Sequence, residues 1–149
     1  YNYRMSNILA ALGRAQLKSL NSYIKKRRWI FNYYCNHLIN IDGIKFMPDI
    51  DNGKSTHWLS VILLENSSHE KIERIVMNFS KNNIEIRPIW KPMHLQPVFD
   101  KSDFFHINEK PVSEYLFRHG LCLPSGSNLS KNDLDRIISL LVSETSKNY

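Results

Sequence analysis

Glycine and proline are sparse in this 149-residue chain, five and six residues, so collagen-like and low-complexity classes are excluded. Cysteine is scarcer still. Cys35 and Cys122 stand far apart, with neither a CxxC partner nor a histidine at zinc-finger spacing, and buried reduced thiols are expected. The six histidines form no HExxH pair, so no metal centre is expected. No apolar run approaches the ~20 residues that span a bilayer; the longest, Trp58 to Leu64, is strand-sized. A charged start followed by an apolar core, the mark of a secretory signal, is also missing, which predicts a soluble, cytoplasmic protein without a membrane partner. The chain opens on Tyr1 and enters a helical pattern almost at once, which reads as a cut end.

Acidic residues are absent from the first 41 positions, which hold seven basic ones: Arg4, Arg14, Lys18, Lys25, Lys26, Arg27 and Arg28. The rest is close to neutral, so the net charge of +6 and the pI near 9.4 belong to one end. That asymmetry suggests an anionic partner near the N-terminus. Lys25 to Arg28, flanked by Tyr23, Trp29, Tyr33 and Tyr34, has the composition of a nucleic-acid face. Helical phase favours a solvated face instead, with Lys25, Lys26 and Arg28 pointing away from the apolar stripe, and no nucleic-acid-binding motif accompanies them. No specific nucleic-acid partner is expected.

With 42% hydrophobic residues, the length suits a domain able to bury a core without staples. Apolar residues from Ile8 to Leu38 recur at steps of three and four, predicting a first helix, a bend at Asn21-Ser22 and a longer helix that Asp42-Gly43 stops. Extended segments are expected at Ile44–Met47, Trp58–Leu64, Ile84–Arg87 (closed by Pro88) and Leu121–Leu123. Ser67 with Glu70 reads as a capping box before the stripe Ile72, Ile75, Val76 and Phe79. Asn108 with Pro111 opens a helix that stops at Gly120, and Ser130 with Asp133 opens the last one. The order predicts a small α/β (α+β) domain with a few-stranded, mainly antiparallel sheet and helices on one side.

Between Ile89 and Phe105 lies a long irregular loop rich in Pro, His and aromatic residues. Prolines 88, 92 and 97 stiffen it and hold Trp90, Lys91 and His94 in place. Two readings stand side by side: presentation of these side chains to a ligand, or Trp90 packing the core while His94 satisfies a backbone group. No catalytic triad and no glycine-rich phosphate cradle is present. The residues alone describe a binding module.

Three blocks carry a more specific likeness: Tyr1-Asn-Tyr-Arg-Met-Ser-Asn-Ile-Leu-Ala-Ala-Leu-Gly-Arg-Ala-Gln-Leu17, Ile86-Arg-Pro-Ile-Trp-Lys-Pro-Met-His-Leu-Gln-Pro97 and Gly120-Leu-Cys-Leu-Pro-Ser-Gly-Ser-Asn-Leu129. In order and spacing they resemble the C-terminal part of the DegT/DnrJ/StrS sugar-nucleotide aminotransferases, pyridoxal-phosphate enzymes of the aspartate-aminotransferase fold (fold type I). The likeness is greatest to the branch that aminates UDP-linked 4-keto-6-deoxy-N-acetylhexosamines toward bacillosamine-type sugars of surface polysaccharide and glycans. A perosamine-type enzyme acting on a GDP sugar carries a similar loop.

The resemblance implies that 1–41 are linking helices that join a large domain, and that 42–149 form the small C-terminal domain. The Schiff-base lysine, the acid on the pyridine nitrogen and the aromatic on the cofactor ring would all lie in that large domain. No catalytic residue is therefore assigned here, and the chain alone is expected to be inactive: a fragment or, at most, a nucleotide-sugar-binding module. The implied enzyme is a homodimer with shared active sites and glutamate as amino donor. By motif position, Asn2 would reach the cofactor phosphate of the neighbouring subunit. Arg4 would meet an anionic group there or form an interface ion pair. Trp90 would wall the sugar or uracil, Lys91 would meet the diphosphate, and His94 would make a polar contact to substrate; a structural role for each is the alternative.

Overall fold

A computed structural model describes residues 3–65, 67–107 and 111–146. Its first element, α1 (Asn7–Leu38), begins where the Ser6 Oγ accepts the Leu9 amide at 3.3 Å. No bend is assigned at Asn21-Ser22: one helix runs where two were expected. Asn and Ser are only mildly unfavourable inside a helix, and neither removes an amide or forces a new backbone angle as Pro would. Gly43, at φ 77°, turns the chain after α1.

Four strands follow in the order β1-β2-β4-β3, every pairing antiparallel. They are β1 (Ile44–Phe46), β2 (Ser60–Leu64), β3 (Arg87–Pro88) and β4 (Gly120–Leu123). Burial alternates along β2, with Ser60, Ile62 and Leu64 inward, as a sheet covered on that face requires. The strand expected over Ile84–Arg87 is narrower and shifted. Ile84 and Ile86 are buried, but ladder pairing covers only Arg87 and Pro88, opposite Cys122 and Leu121. Pro88 does not close the strand; it belongs to it, which an edge strand permits because its missing amide faces no neighbour.

Helix α2 (His69–Lys81) is capped by Ser68, one residue later than the sequence pattern placed it, with the Ser68 Oγ accepting the Lys71 amide at 3.2 Å. Glu70 then falls in the first turn, and the Ser68 hydroxyl, first among several causes, holds its carboxyl below the usual value. Asn83, at φ 56°, ends this segment in the left-handed region that Asn tolerates. The long loop holds two short 3₁₀ turns, Met93–Leu95 and Pro97–Phe99. The expected cap Asn108 lies outside the described residues; α3 (Val112–His119) follows Pro111 and ends at Gly120. There a Cβ would come within 2.1 Å of the Ile89 side chain and 2.6 Å of the Leu116 carbonyl, so only glycine allows this close crossing. In α4 (Lys131–Thr145) the capping box forms as read, with the Asp133 amide on the Ser130 Oγ and the Ser130 amide on the Asp133 carboxylate.

Three helices share one core. Ile30, Tyr34 and Leu38 of α1, Ile72, Ile75 and Phe79 of α2, and Leu134, Ile137 and Leu141 of α4 meet Ile62, Leu64, Leu121 and Leu123 of the sheet. The Tyr34 hydroxyl donates to the Pro124 carbonyl at 2.9 Å, tying α1 to the turn after β4. Val61, Cys122 and Arg87 lie side by side in register, on the alternate face of the sheet from Ile62 and Leu121. Cys122 is buried and Cys35 half-buried, and desolvation pushes the Cys35 thiol up to about 11. Among the described residues no helix is long and apolar enough to cross a membrane.

Candidate functional site

The loop between β1 and β2 is fixed from α1. Arg28 donates from Nε to the Ser55 carbonyl at 2.8 Å, and Arg27 donates to the Trp58 carbonyl. Lys25 is exposed as expected, but the rest of the basic run departs from a solvated face. Arg28 points to the loop, Arg27 holds the residue that follows His57, and the Lys26 ammonium lies 3.8 Å over the Trp29 ring. His57, at φ 47°, is buried with its ring stacked on Phe31 at 3.7 Å. Its Nε2 lies 3.5 Å from the Asp49 carboxylate, while Nδ1 is buried without a partner. Desolvation lowers the His57 pKa; Asp49 opposes the shift and Arg28 adds to it.

This anchoring leaves Trp58 60% exposed, facing Trp90, which is 66% exposed. The two indoles are parallel within 10°, centroids 6.3 Å apart. They wall an open cleft of about 590 Å³ whose lining includes Arg87, Lys91, Phe117 and Cys122. Arg87 donates from Nε to Glu85 at 2.8 Å; both side chains are largely exposed and Glu85 also lines the cleft. Trp90 therefore does not pack the core.

Of the described residues singled out in the sequence, the structure brings Trp90 and Lys91 together and leaves His94 and Arg4 apart from them. His94 sits in the first 3₁₀ turn, its Nε2 3.0 Å from the Glu114 carboxylate and its ring stacked on Phe104 at 3.6 Å, outside the cleft lining. Arg4 is exposed ahead of α1 and does not line the cleft either. Asn2 lies outside the described residues. Sequence reasoning missed Trp58, read as the start of a buried strand, and Arg87, read as a strand's polar face. An arginine at the end of a predicted strand, beside a proline-stiffened loop, was the available signal. Nothing in the local pattern could pair Arg27 with a carbonyl 31 positions away.

A profile of the DegT/DnrJ/EryC1/StrS aminotransferase family matches residues 1–142. The chain belongs to this family. It is 44% identical over 145 residues to Bacillus subtilis (strain 168) EpsN, whose name assigns it provisionally to the pyridoxal phosphate-dependent aminotransferases; the match covers 95% of this chain and 36% of EpsN. It is 31% identical to the GDP-perosamine synthase of Escherichia coli O157:H7, over 90% of this chain and 35% of that protein. Among solved structures, Helicobacter pylori PseC, an aminotransferase involved in pseudoaminic acid biosynthesis, superposes with a TM-score of 0.85 at 20% identity, over 97% of this chain and 38% of PseC. The fold is that of fold type I aminotransferases, and the chain spans little more than a third of the relatives it matches.

A lysine that captures an aldehyde cofactor near neutral pH needs a desolvated or cation-flanked ammonium. Every described lysine here is exposed or only half-buried. None of the described lysines therefore offers a buried, desolvated ammonium for a Schiff base.

Proposed function

We propose that this chain is the C-terminal portion of a pyridoxal-phosphate-dependent aminotransferase that transfers an amino group from glutamate to the 4-keto position of a nucleotide-linked deoxysugar. The observation that carries the reading is the family match over residues 1–142, joined to a fold shared with aminotransferases of nearly three times the length. The preferred substrate is a UDP-linked 4-keto-6-deoxy-N-acetylhexosamine, in a cytoplasmic homodimer with shared active sites. A GDP-linked sugar is the competing choice, supported by the likeness to a GDP-perosamine synthase.

In this reading 1–41 link the large domain to the small domain of 42–149, and the second half of α1 also contributes Ile30, Tyr34 and Leu38 to the small domain's core. Asn2 reaches the cofactor phosphate of the neighbouring subunit as an uncharged donor, and Arg4 meets an anionic group there. Trp90 and Lys91 face the substrate from the cleft. His94 contacts the sugar through Nδ1, because Glu114 already engages Nε2. The cofactor supplies the amino-group chemistry, and these residues supply position.

The complete protein, given pyridoxal phosphate, glutamate and a UDP-4-keto-6-deoxy sugar, is expected to release a 4-amino sugar nucleotide detectable by mass spectrometry. His94→Ala is expected to lower kcat/KM by about tenfold, the loss of roughly 1.4 kcal/mol of transition-state stabilisation. No amine from either UDP- or GDP-linked 4-keto sugars would exclude the reading.

A further inference from the structure

We infer that His57 is a pH-sensitive latch on the segment 47–59 between β1 and β2. With its imidazole neutral it pins this segment against α1; protonation releases the segment, and Trp58 with it, while the core stays folded. The inference goes beyond the aminotransferase reading and does not depend on it.

His57 is the one buried residue of 47–59. No residue of this segment belongs to the hydrophobic core that joins α1, α2, α4 and the sheet, so the core does not need the segment in place. The His57 ring lies 10° from parallel on Phe31, which meets Phe46 of β1 edge-on at 5.6 Å. The other ties are hydrogen bonds from α1 to backbone carbonyls: Arg28 to Ser55 at 2.8 Å and to Lys54 at 3.5 Å, and Arg27 to Trp58. Such bonds at or near the surface compete with water. The left-handed φ of 47° is unfavourable for a residue with a side chain, so the seated ring sustains it and release relieves it.

The seat suits a neutral ring. Nε2 faces the Asp49 carboxylate at 3.5 Å, and Nδ1 is buried without a partner. A neutral ring with its proton on Nε2 leaves a bare lone pair at Nδ1; an imidazolium puts a second N–H there with no acceptor. The charged groups facing the ring are divided. Desolvation and Arg28 of α1 disfavour the imidazolium, while Asp49 favours it from a side chain 63% exposed, where solvent screens the attraction. Cys35 of α1 feels the same carboxylate, but its thiol, pushed up to about 11 mainly by burial, carries no charge. The closed segment therefore binds fewer protons than the open one. The latch is closed above the ordinary histidine range and loosens as pH falls below about 6.5 toward the lowered value.

Fluorine NMR of the full chain labelled with 5-fluorotryptophan tests this, the Trp58 resonance being assigned by its loss in Trp58→Phe. Between pH 7.5 and 5 that resonance is expected to move with a midpoint below about 6.5 that coincides with titration of the His57 imidazole. In His57→Asn it is expected to stay fixed over the same range. Asp49→Asn, at an exposed side chain, removes the one acid that favours the imidazolium; it is expected to lower the midpoint by about 0.3 of a pH unit or more, a twofold loss of proton affinity. Far-ultraviolet circular dichroism is expected to hold constant throughout, which separates release of the segment from unfolding of the chain. Four results would overturn the latch: a Trp58 resonance that does not move in the parent, one that moves as much in His57→Asn, a midpoint that Asp49→Asn leaves in place or raises, or dichroism lost over the same range.

Discussion

At the scale of single residues, His57 does the most with the least exposure. Its backbone adopts a left-handed angle, its ring stacks on Phe31, and its burial beside Arg28 favours the neutral imidazole against the pull of Asp49. A histidine whose folded pKa lies below its unfolded value binds fewer protons when folded. Stability is therefore complete above the ordinary histidine range and is lost as pH falls below about 6.5 toward the lowered folded value. His57→Asn keeps a residue that tolerates the left-handed angle and removes the titration. It is expected to cost about 0.5–1.5 kcal/mol near pH 7.5 through the lost stack and to flatten the decline in urea midpoint between pH 7 and 5. A variant whose decline matches the parent's would contradict this assignment. None of it was legible in the sequence, where His57 was one of six scattered histidines. Trp90 and Lys91 were legible because prolines at 88, 92 and 97 announce a stiff loop. Trp58 was not, because hydrophobic pattern alone cannot tell a buried strand residue from an exposed one just before the strand.

At the scale of elements, α1 is two things in one helix. From Ile30 onward it packs into the core, while Ile8, Leu9, Leu12, Leu17 and Leu20 are exposed, Ile8 at 82%. The pairs Ile8/Leu12, Leu9/Leu12 and Leu17/Leu20 keep the three-and-four spacing of a buried face, and a Cβ placed at Gly13 would meet nothing within 4 Å. An apolar stripe left uncovered drives association. Light scattering of the chain is therefore expected to show concentration-dependent self-association, which Leu12→Glu with Leu17→Glu suppresses without lowering thermal stability; a monomeric parent across the range would contradict it. The helix itself was plain from periodicity, but its continuity was not, since Asn21-Ser22 resembles a joint until tertiary packing on its C-terminal side decides otherwise. The capping box of α4 was read correctly because Ser130 and Asp133 satisfy each other locally. At α2 two serines stood side by side, and only the geometry chose Ser68. The strand at Arg87–Pro88 was displaced because Ile84 and Ile86 are buried by helix packing and turn, not by ladder pairing.

At the scale of the whole molecule, the charge asymmetry resolves into local work. Arg27 and Arg28 hold the loop that aims Trp58, and the cations lining the cleft, Arg87 and Lys91, come from outside the basic N-terminal stretch. The fold and family were legible because three sequence blocks keep their order over nearly the entire chain. The grouping of site residues was not, because it depends on which side of the loop each faces: Trp90 turns to Trp58, and His94 to Glu114. The central claim is that this chain supplies substrate-facing residues to an enzyme whose cofactor lysine lies elsewhere. Incubating the chain with pyridoxal phosphate, reducing with borohydride and mapping the products by mass spectrometry tests it most directly. The account predicts scattered, substoichiometric pyridoxyl labelling of surface lysines; one lysine labelled at a full equivalent per chain would contradict it.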